Sequence, residues 1–559
     1  MLLLAAAWIA LLAAATAAGL GIVHLARGGS AFDRLGDRLV AAAWVGLIVI
    51  GVVLQGASLV VALSPATGGI VALAGLAGAL AMPAVRRDLV ALARRLNPAL
   101  VAGGLVLLAG VAAYMAQRVV WTDTGLYHAS AIRWLSEEGA VRGLAHIHSR
   151  FGYSSLWFDL SAPFNDGDLR ERLVAVVSGF ALLLAGAQLA LVGIRALSGR
   201  ARHYDWLALV ALGVAVPVSL SWRQPVAPNP DFPLILLPIV VAWAMAVART
   251  RDDGTTRRTP AVIDARLIPL LIASGAMAVK VNGAALVLVA ALFYVWPPGL
   301  RVSRVAVAAV AIVVVTAPSL LTGYVVSGCP VYPAPPCFDK PWGVGAASAH
   351  GEAVAIRSYA RRRAAVPGER FASTDWIGPW LRRSANLFLL GSLAFGAVAA
   401  WRAPPSVRWS LAVGFTGAAL VLYSAPDLRF ALGYSAVLLG AFWVRWGGAI
   451  LGLVPRAGSL RLRAGTSVAV ALLVVGGVFV AARLLRPTVD GDRSLALVQP
   501  PMLVEPLLTR LAVGNVHYFV PADGELCWAS PVPCTDPSLV RSDTTLRDPG
   551  VGLAAGFEH

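Results

Sequence analysis

Charge is what this chain has least of. Only 13% of its 559 residues are Asp, Glu, Lys or Arg, against roughly a quarter in soluble domains, which excludes an ordinary soluble protein. Lysine is nearly missing, present only as Lys280 and Lys340, so the basic residues are almost all arginine. The chain has four cysteines and none falls in an apolar run. Short segments of alternating polarity, the mark of a membrane barrel, are also wanting. No positive stretch precedes the first apolar run. Met1 to Gly19 is therefore expected to stay as a helix rather than be cleaved as a signal peptide, although it ends in small residues.

What is present is apolar. Hydrophobic residues make up 58% of the chain and the mean hydropathy is +0.74. The sequence predicts an all-α polytopic membrane protein, because in lipid a helix satisfies its own backbone hydrogen bonds. Apolar segments run over about 2–24, 39–62, 66–85, 98–118, 172–195, 206–221, 231–248, 267–282, 283–297, 305–326, 386–401, 409–424, 430–450 and 464–482, about 13–14 spans. The formal charge of +17 and pI near 10.6 do not point to nucleic acid, because the arginines gather in loops between spans. Arg27/Arg34/Arg38, Arg86/Arg87/Arg94/Arg95, Arg195/Arg200/Arg202, Arg249/Arg251/Arg257/Arg258/Arg266, Arg402/Arg408 and Arg456/Arg461/Arg463 fall on one side. By the positive-inside rule that side is cytoplasmic and the first helix starts outside.

Three long segments, 119–171, 327–385 and 483–559, then face outward and hold all four cysteines, as the close pairs Cys329/Cys337 and Cys527/Cys534. Disulfides in an oxidising compartment are expected; a metal site is the alternative. The tail after Arg483 reads as a small outer appendage that Cys527–Cys534 would staple.

The richest polar chemistry lies at the mouth of the fourth span, in WTDTGLYHASAIRWLSEEGAVRGLAHIHSRFGYSSLWF, Trp121 to Phe158. Thr124 to Glu138 reads as a short amphipathic helix in the headgroup plane. Asp123 at its start is either an N-cap or a general base facing a cavity at the membrane surface. Tyr127, His128, His146, His148 and Arg150 line the same stretch. His146-x-His148 could supply two ligands to a divalent metal, with no evident third. Lys280 lies in an apolar segment, where an ammonium is costly; it either snorkels outward or contacts a lipid phosphate or sugar. Asp231, after Pro228-Asn229-Pro230, caps its helix or touches substrate. Arg429 shares a short outer turn with Asp427, with which it could pair. Arg357 and Arg361, in Arg357-Ser-Tyr-Ala-Arg361-Arg362-Arg363, share a helical face on the outer side. They suit a phosphate or pyrophosphate, or anionic headgroups.

Asp-Thr-Gly-Leu-Tyr-His…Arg-Trp-Leu-Ser-Glu-Glu-Gly resembles the first outer loop of the GT-C glycosyltransferases, integral enzymes that use lipid-phosphate-linked sugars. Asp123, Tyr127 and Gly139 occupy the places of the family's acid, aromatic and glycine. Asn229-Pro230-Asp231-Phe232-Pro233-Leu234 is similar to its Asp-led downstream span, and Ala278-Val279-Lys280-Val281-Asn282-Gly283 to its Lys-bearing span. The pattern covers roughly 98–300. Residues 1–97 would be additional spans, 301–482 the C-terminal spans with the second outer loop, and 483–559 the tail. Two features depart from the pattern: three spans precede the usual first helix, and Thr124 replaces the frequent second acid, which weakens a metal role. The whole chain also resembles an uncharacterised group of bacterial multi-pass proteins, through Asp123 to Trp157, Ser327-Gly328-Cys329-Pro330-Val331-Tyr332-Pro333, Ala425-Pro426-Asp427-Leu428-Arg429-Phe430 and Cys527-Trp528…Pro533-Cys534-Thr535.

The GT-C resemblance implies transfer of a sugar from a polyprenyl-phosphate donor to a glycan, lipid or protein acceptor at the extracytoplasmic face of a bacterial inner membrane, with Asp123 as base. Arginines and Lys280 would hold the phosphate, and a divalent metal is left open. A transporter or flippase of lipid-linked saccharide and a non-catalytic envelope-assembly protein are the rival expectations.

Overall fold

The computed structural model describes residues 1–249, 261–296, 301–362, 374–452, 497–540 and 542–559. The expected span 464–482 and Arg251, Arg257, Arg258, Arg363, Arg456, Arg461 and Arg463 lie outside the described residues. Elsewhere every expected span coincides with a helix.

Helices α1 (Leu2–Leu25) and α2 (Leu35–Ser58) pack along each other. A Cβ added at Gly19 would lie 1.8 Å from the Ala42 carbonyl oxygen, and one at Gly46 equally close to that of Ala15. Two backbones can approach so closely only where neither carries a side chain, a common device between membrane helices. Helix α3 (Pro65–Leu80) starts where the Ser64 hydroxyl accepts the Thr67 N–H at 3.3 Å, with proline in the first turn. It ends at Ala81, and α4 (Pro83–Arg95) leaves it at 93°. The expected span 66–85 is thus α3 plus the start of a second helix set nearly at right angles to it. Asn97 caps α5 (Pro98–Met115) through the Leu100 N–H at 2.9 Å. Helices α6 (Ala129–Glu137) and α7 (Leu156–Ser161) belong to the first outer segment, and α8 (Val176–Leu197) and α9 (His203–Ser221) return to the bundle.

Helix α10 (Asp231–Arg249) is buried along nearly its whole length and is the central pillar, packed by α8, α9 and four helices that follow. The first two of these, α11 (Leu267–Val279) and α12 (Ala284–Val295), form a hairpin. With 13 and 12 residues they rise only about 20 Å each, short of a hydrocarbon core of about 30 Å. The hairpin's open end is tied down where Tyr294 donates to the Val262 carbonyl and Arg304 donates to the Tyr294 and Ala261 carbonyls at 2.9 Å. Its tip, Lys280 to Gly283, therefore points into the bundle from the arginine-rich end.

Helix α13 (Val302–Ser327) crosses to the second outer segment, which holds α14 (Gly345–Arg362) and α15 (Ile377–Leu381). Helices α16 (Ser384–Ala400), α17 (Pro405–Ser424) and α18 (Leu428–Gly452) complete the described bundle, the last two packing on α10. Among the described residues nine helices are long and apolar enough to cross a membrane, or ten if α3 and α4 count as one broken span. The expected 13–14 therefore includes α11, α12 and α16, which are shorter apolar helices. Hydropathy registers greasiness and does not measure how far a segment stays helical.

The three outer segments meet at one end. In the tail, β1 (Leu508–Val513) and β2 (Val516–Pro521) form an antiparallel hairpin, and β3 (Thr545–Leu546) pairs with β4 (Phe557–Glu558). The described part of the tail packs on the mouth of the bundle. Val516, Tyr518, Val520 and Phe557 share a core with Trp134, Ile147 and Phe151 of the first outer segment and Val326 of α13. Both expected disulfides are formed, Cys329–Cys337 and Cys527–Cys534. At the opposite end, Arg195 bridges Asp37 at 2.5 Å and Asp205 at 2.8 Å, and Arg34 reaches Asp205 at 2.7 Å. These pairs clamp α2, α8 and α9 together where the loop arginines gather.

Candidate functional site

Thr124 to His128 forms one turn of π-helix before α6. Such wide turns are uncommon and frequently occur at functional sites. The capping role offered to Asp123 is not realised, for its side chain makes no cap hydrogen bond. Its carboxylate is turned instead to Arg150 Nη1 at 3.0 Å, Arg429 Nη2 at 3.1 Å and the Trp121 indole N–H at 3.3 Å.

From there charges alternate through the site. Arg429, on the first turn of α18, also gives its Nε to Asp231 Oδ2 at 2.5 Å. Asp231, opening α10, takes the Lys280 ammonium on its other oxygen. On the opposite flank, Arg150 lies 3.7 Å from Glu352 of α14, which accepts from the Tyr153 hydroxyl at 2.7 Å and the Ser149 hydroxyl at 2.9 Å. Lys280, Asp231, Arg429, Asp123, Arg150 and Glu352 thus make a continuous ladder of opposite charges. Aromatic faces flank the cations: Phe430 lies 4.6 Å from the Lys280 ammonium, and Trp121 5.0 Å and Phe430 5.3 Å from the Arg429 guanidinium. Asp231 is sealed at 2% side-chain exposure, whereas Asp123 keeps 22%, Lys280 33% and Arg150 36%. A ligand can reach the ladder at Asp123 and at its cations.

Burial alone would raise the Asp123 carboxyl, and the charges opposing it belong to His128, Arg429 and Arg150. Burial also takes His128 down to about 3. At neutral pH its ring is uncharged, so the two arginines hold Asp123 below the ordinary carboxylate value. Burial raises the Tyr127 phenol, and the nearby Asp123 charge adds to the effect. Tyr127 packs edge-on to His128 at 4.3 Å with the Arg150 guanidinium over its ring at 5.7 Å. Beside it, the buried Thr124 hydroxyl and His128 Nδ1 have no hydrogen-bond partner among the described residues.

Five residues singled out in the sequence meet here: Asp123, Arg150, Asp231, Lys280 and Arg429. Lys280 does not snorkel to water; it pairs with Asp231. Arg429 does not pair its guanidinium with Asp427, which instead accepts the Arg429 backbone N–H at 2.9 Å. Tyr127 and His128 pack beside them, and the remaining candidates sit apart. His148 caps a turn, its Nδ1 accepting the Arg150 N–H at 3.1 Å, and burial takes it down to about 4. His146 lies against His559, ring centres 5.1 Å apart and planes tilted by 43°. Among the described residues no three His, Cys, Asp or Glu side chains converge as a metal site, so the histidine pair lacks a third ligand there. Arg357 lies over Tyr423 at 5.9 Å and Arg361 over Trp376 at 4.7 Å. Both are on α14, the helix that carries Glu352. Sequence reasoning missed Glu352, Trp121 and Tyr153. Glu352 sits five residues before Arg357 in a polar helix and carries no local signal.

Among the buried carboxyls outside the ladder, Asp159 of α7 differs in having no cationic partner among the described residues. It accepts from the Gln55 amide at 3.0 Å and is 1% exposed. Burial pushes it up to about 7.

A bundle of membrane-length helices with a polar site beneath disulfide-bridged outer segments defines a multi-pass membrane protein. The chain belongs to the family described as a domain of unknown function (DUF8201), whose model matches residues 1–436. The whole ladder lies within that match. No curated protein and no solved structure matches the chain significantly.

Proposed function

We propose that this protein is a GT-C-like membrane glycosyltransferase. It transfers a sugar from a polyprenyl-phosphate donor to a glycan, lipid or protein acceptor at the disulfide-bearing face, which we take as the extracytoplasmic face of a bacterial inner membrane. The observation that carries this reading is Asp123, a partly exposed carboxylate held between two arginines at the rim of the bundle.

The free protein keeps Arg150 and Arg429 occupied with Asp123. A donor phosphate is a better bidentate partner for a guanidinium and competes for both. Once drawn to the phosphate, the arginines release the carboxylate and its basicity rises, because the charges that held it down are now shared. Asp123 then takes the proton of an acceptor hydroxyl as that oxygen bonds to the sugar's anomeric carbon. The bond from that carbon to the phosphate oxygen breaks, and the polyprenyl phosphate leaves with the electron pair. Arg429, Arg150 and Lys280 offset the charge that develops on it. Asp231 keeps Lys280 and Arg429 side by side.

The α11–α12 hairpin favours a second reading. Two short helices meeting at a charged break inside the bundle also suit a transporter or flippase of lipid-linked saccharide. One experiment separates the two. Wild type and Asp123→Asn are reconstituted with labelled polyprenyl-phosphate sugar and a panel of acceptors. Release of carrier lipid by wild type alone supports transfer; equal release by the variant removes Asp123 as base. Movement of intact donor between leaflets without release favours transport.

A further inference from the structure

The strongest feature outside the ladder is α4, at the opposite end of the bundle. Its sequence, PAVRRDLVALARR, places Val85, Leu89 and Leu92 on one side. Val85 is fully buried, and Leu89 packs against the same core. Arg87 and Arg94 project from the opposite side and Arg86 and Arg95 from its two edges, and all four are exposed. Asp88 pins the helix, accepting from His24 of α1 at 2.9 Å and lying 3.3 Å from Arg38 of α2. This clamp leaves the four arginines outside it.

The neighbours of α4 say what medium it meets. It leaves α3 at 93°, so it runs across the end of α3 rather than continuing its line. The spans on either side turn bare apolar surface outward: Ile70 and Leu73 of α3 are 68% and 66% exposed, and Leu105 and Val106 of α5 are 59% and 73% exposed. In a multi-pass protein such surface is covered by acyl chains, which sets α4 at the level of the headgroups of the same lipids.

We propose that the arginine face of α4 is a binding surface for the phosphates of anionic phospholipids in the leaflet at the arginine-rich end. The occupant is set by charge and place. Four exposed guanidiniums attract anionic headgroups over zwitterionic ones. Guanidinium forks match phosphate oxygens. The proposal is independent of the glycosyltransferase reading, since α4 shares no residue with the ladder.

The test titrates the full-length protein in detergent with phosphatidylglycerol or phosphatidylcholine and counts retained lipids by native mass spectrometry. Three variants are compared with wild type: Arg86→Gln/Arg87→Gln/Arg94→Gln/Arg95→Gln, the milder Arg87→Gln/Arg94→Gln, and the control Arg200→Gln/Arg402→Gln/Arg408→Gln at the same end. The fourfold variant should lose at least about tenfold of the preference for phosphatidylglycerol, the double variant part of it, and the control little. A fourfold or double variant that keeps the wild-type preference overturns the proposal. Equal loss in the control also overturns it, because the general charge of that end would then be responsible. Displacement of the lipid by free glycerol phosphate at matching concentration would make this a small-anion site and refute a lipid surface.

Discussion

Arg429 on α18 donates to Asp123 across 306 positions of sequence, Nη2 to Oδ2 at 3.1 Å, while its Nε holds Asp231. One guanidinium joins the first outer segment to the central helix. The fork makes that possible: its planar donors point in different directions, so a single side chain can serve two carboxylates.

Arg429→Gln should therefore take a cation from two partly or fully buried carboxylates at once, leaving Asp123 with Arg150 and Asp231 with Lys280. Removing one partner of a buried ion pair costs about 3–5 kcal/mol, and a clear drop in thermal unfolding temperature is expected. Arg429→Lys should recover only part of it, because an ammonium cannot reproduce the fork. Tryptophan fluorescence melts in detergent read both.

Asp231 and Lys280 should behave as a coupled pair. Asp231→Asn alone leaves Lys280 facing Arg429 with one carboxylate fewer between them, and should destabilise by about 2 kcal/mol or more. Asp231→Asn with Lys280→Met should recover a good part of that loss. Additive effects in the double-mutant cycle would show that the contact carries no energy.

Asp159 predicts a pH dependence with a definite sign. Its carboxyl rises from the ordinary value of 3.8 to about 7 on folding, so the folded protein binds this proton more tightly. Its contribution to stability is complete below the unfolded value and is lost as pH climbs through about 7. Melting temperature should fall between mildly acidic and mildly alkaline buffer, and Asp159→Asn should flatten that slope. An unchanged slope would mean that another group dominates the range.

Gly125 tests how the tail closes on the site. The Trp528 N–H donates to the Gly125 carbonyl at 3.0 Å, and a Cβ at Gly125 would lie 2.5 Å from the Trp528 ring. Gly125→Ala should destabilise by about 1–3 kcal/mol through overpacking. Adding Trp528→Ala should relieve the clash while leaving the Asp123 turn uncovered. Limited proteolysis of the tail reads the difference.

The proposed face can be checked on intact cells. Membrane-impermeant thiol reagents should label Cys329, Cys337, Cys527 and Cys534 only after reduction, because all four are bridged at one end. Labelling before reduction, or none after it, would contradict an oxidised outward face.

Much of the fold is readable from composition and spacing. Low charge and runs near helical span length imply helices in lipid, since a buried backbone must bond to itself. Arginine-rich loops and paired cysteines sort the segments to two ends, and the outer segments do meet at the end where both disulfides form. Five ladder residues stand out, Asp123 and Arg150 in the polar stretch at the mouth of a span, Asp231 and Arg429 beside short turns, and Lys280 as a charge in an apolar segment. Their partnership is not legible. Nothing local relates Asp123 to Arg429, or says that Asp123 would decline the capping role its position offers. Glu352 was invisible because an acid in a polar helix is ordinary until its neighbours are known.

By itself the sequence determined the medium, the element type and the sorting of segments between two ends, because those follow from solvation and helix period residue by residue. Tertiary structure decided which spans are full length, that α11 and α12 form a hairpin, and that six charges align as a ladder. Those depend on where the ends of distant helices come to rest. A carboxylate's partner is chosen by distance in space, through a Coulomb attraction that falls with separation, and separation along the chain does not record it.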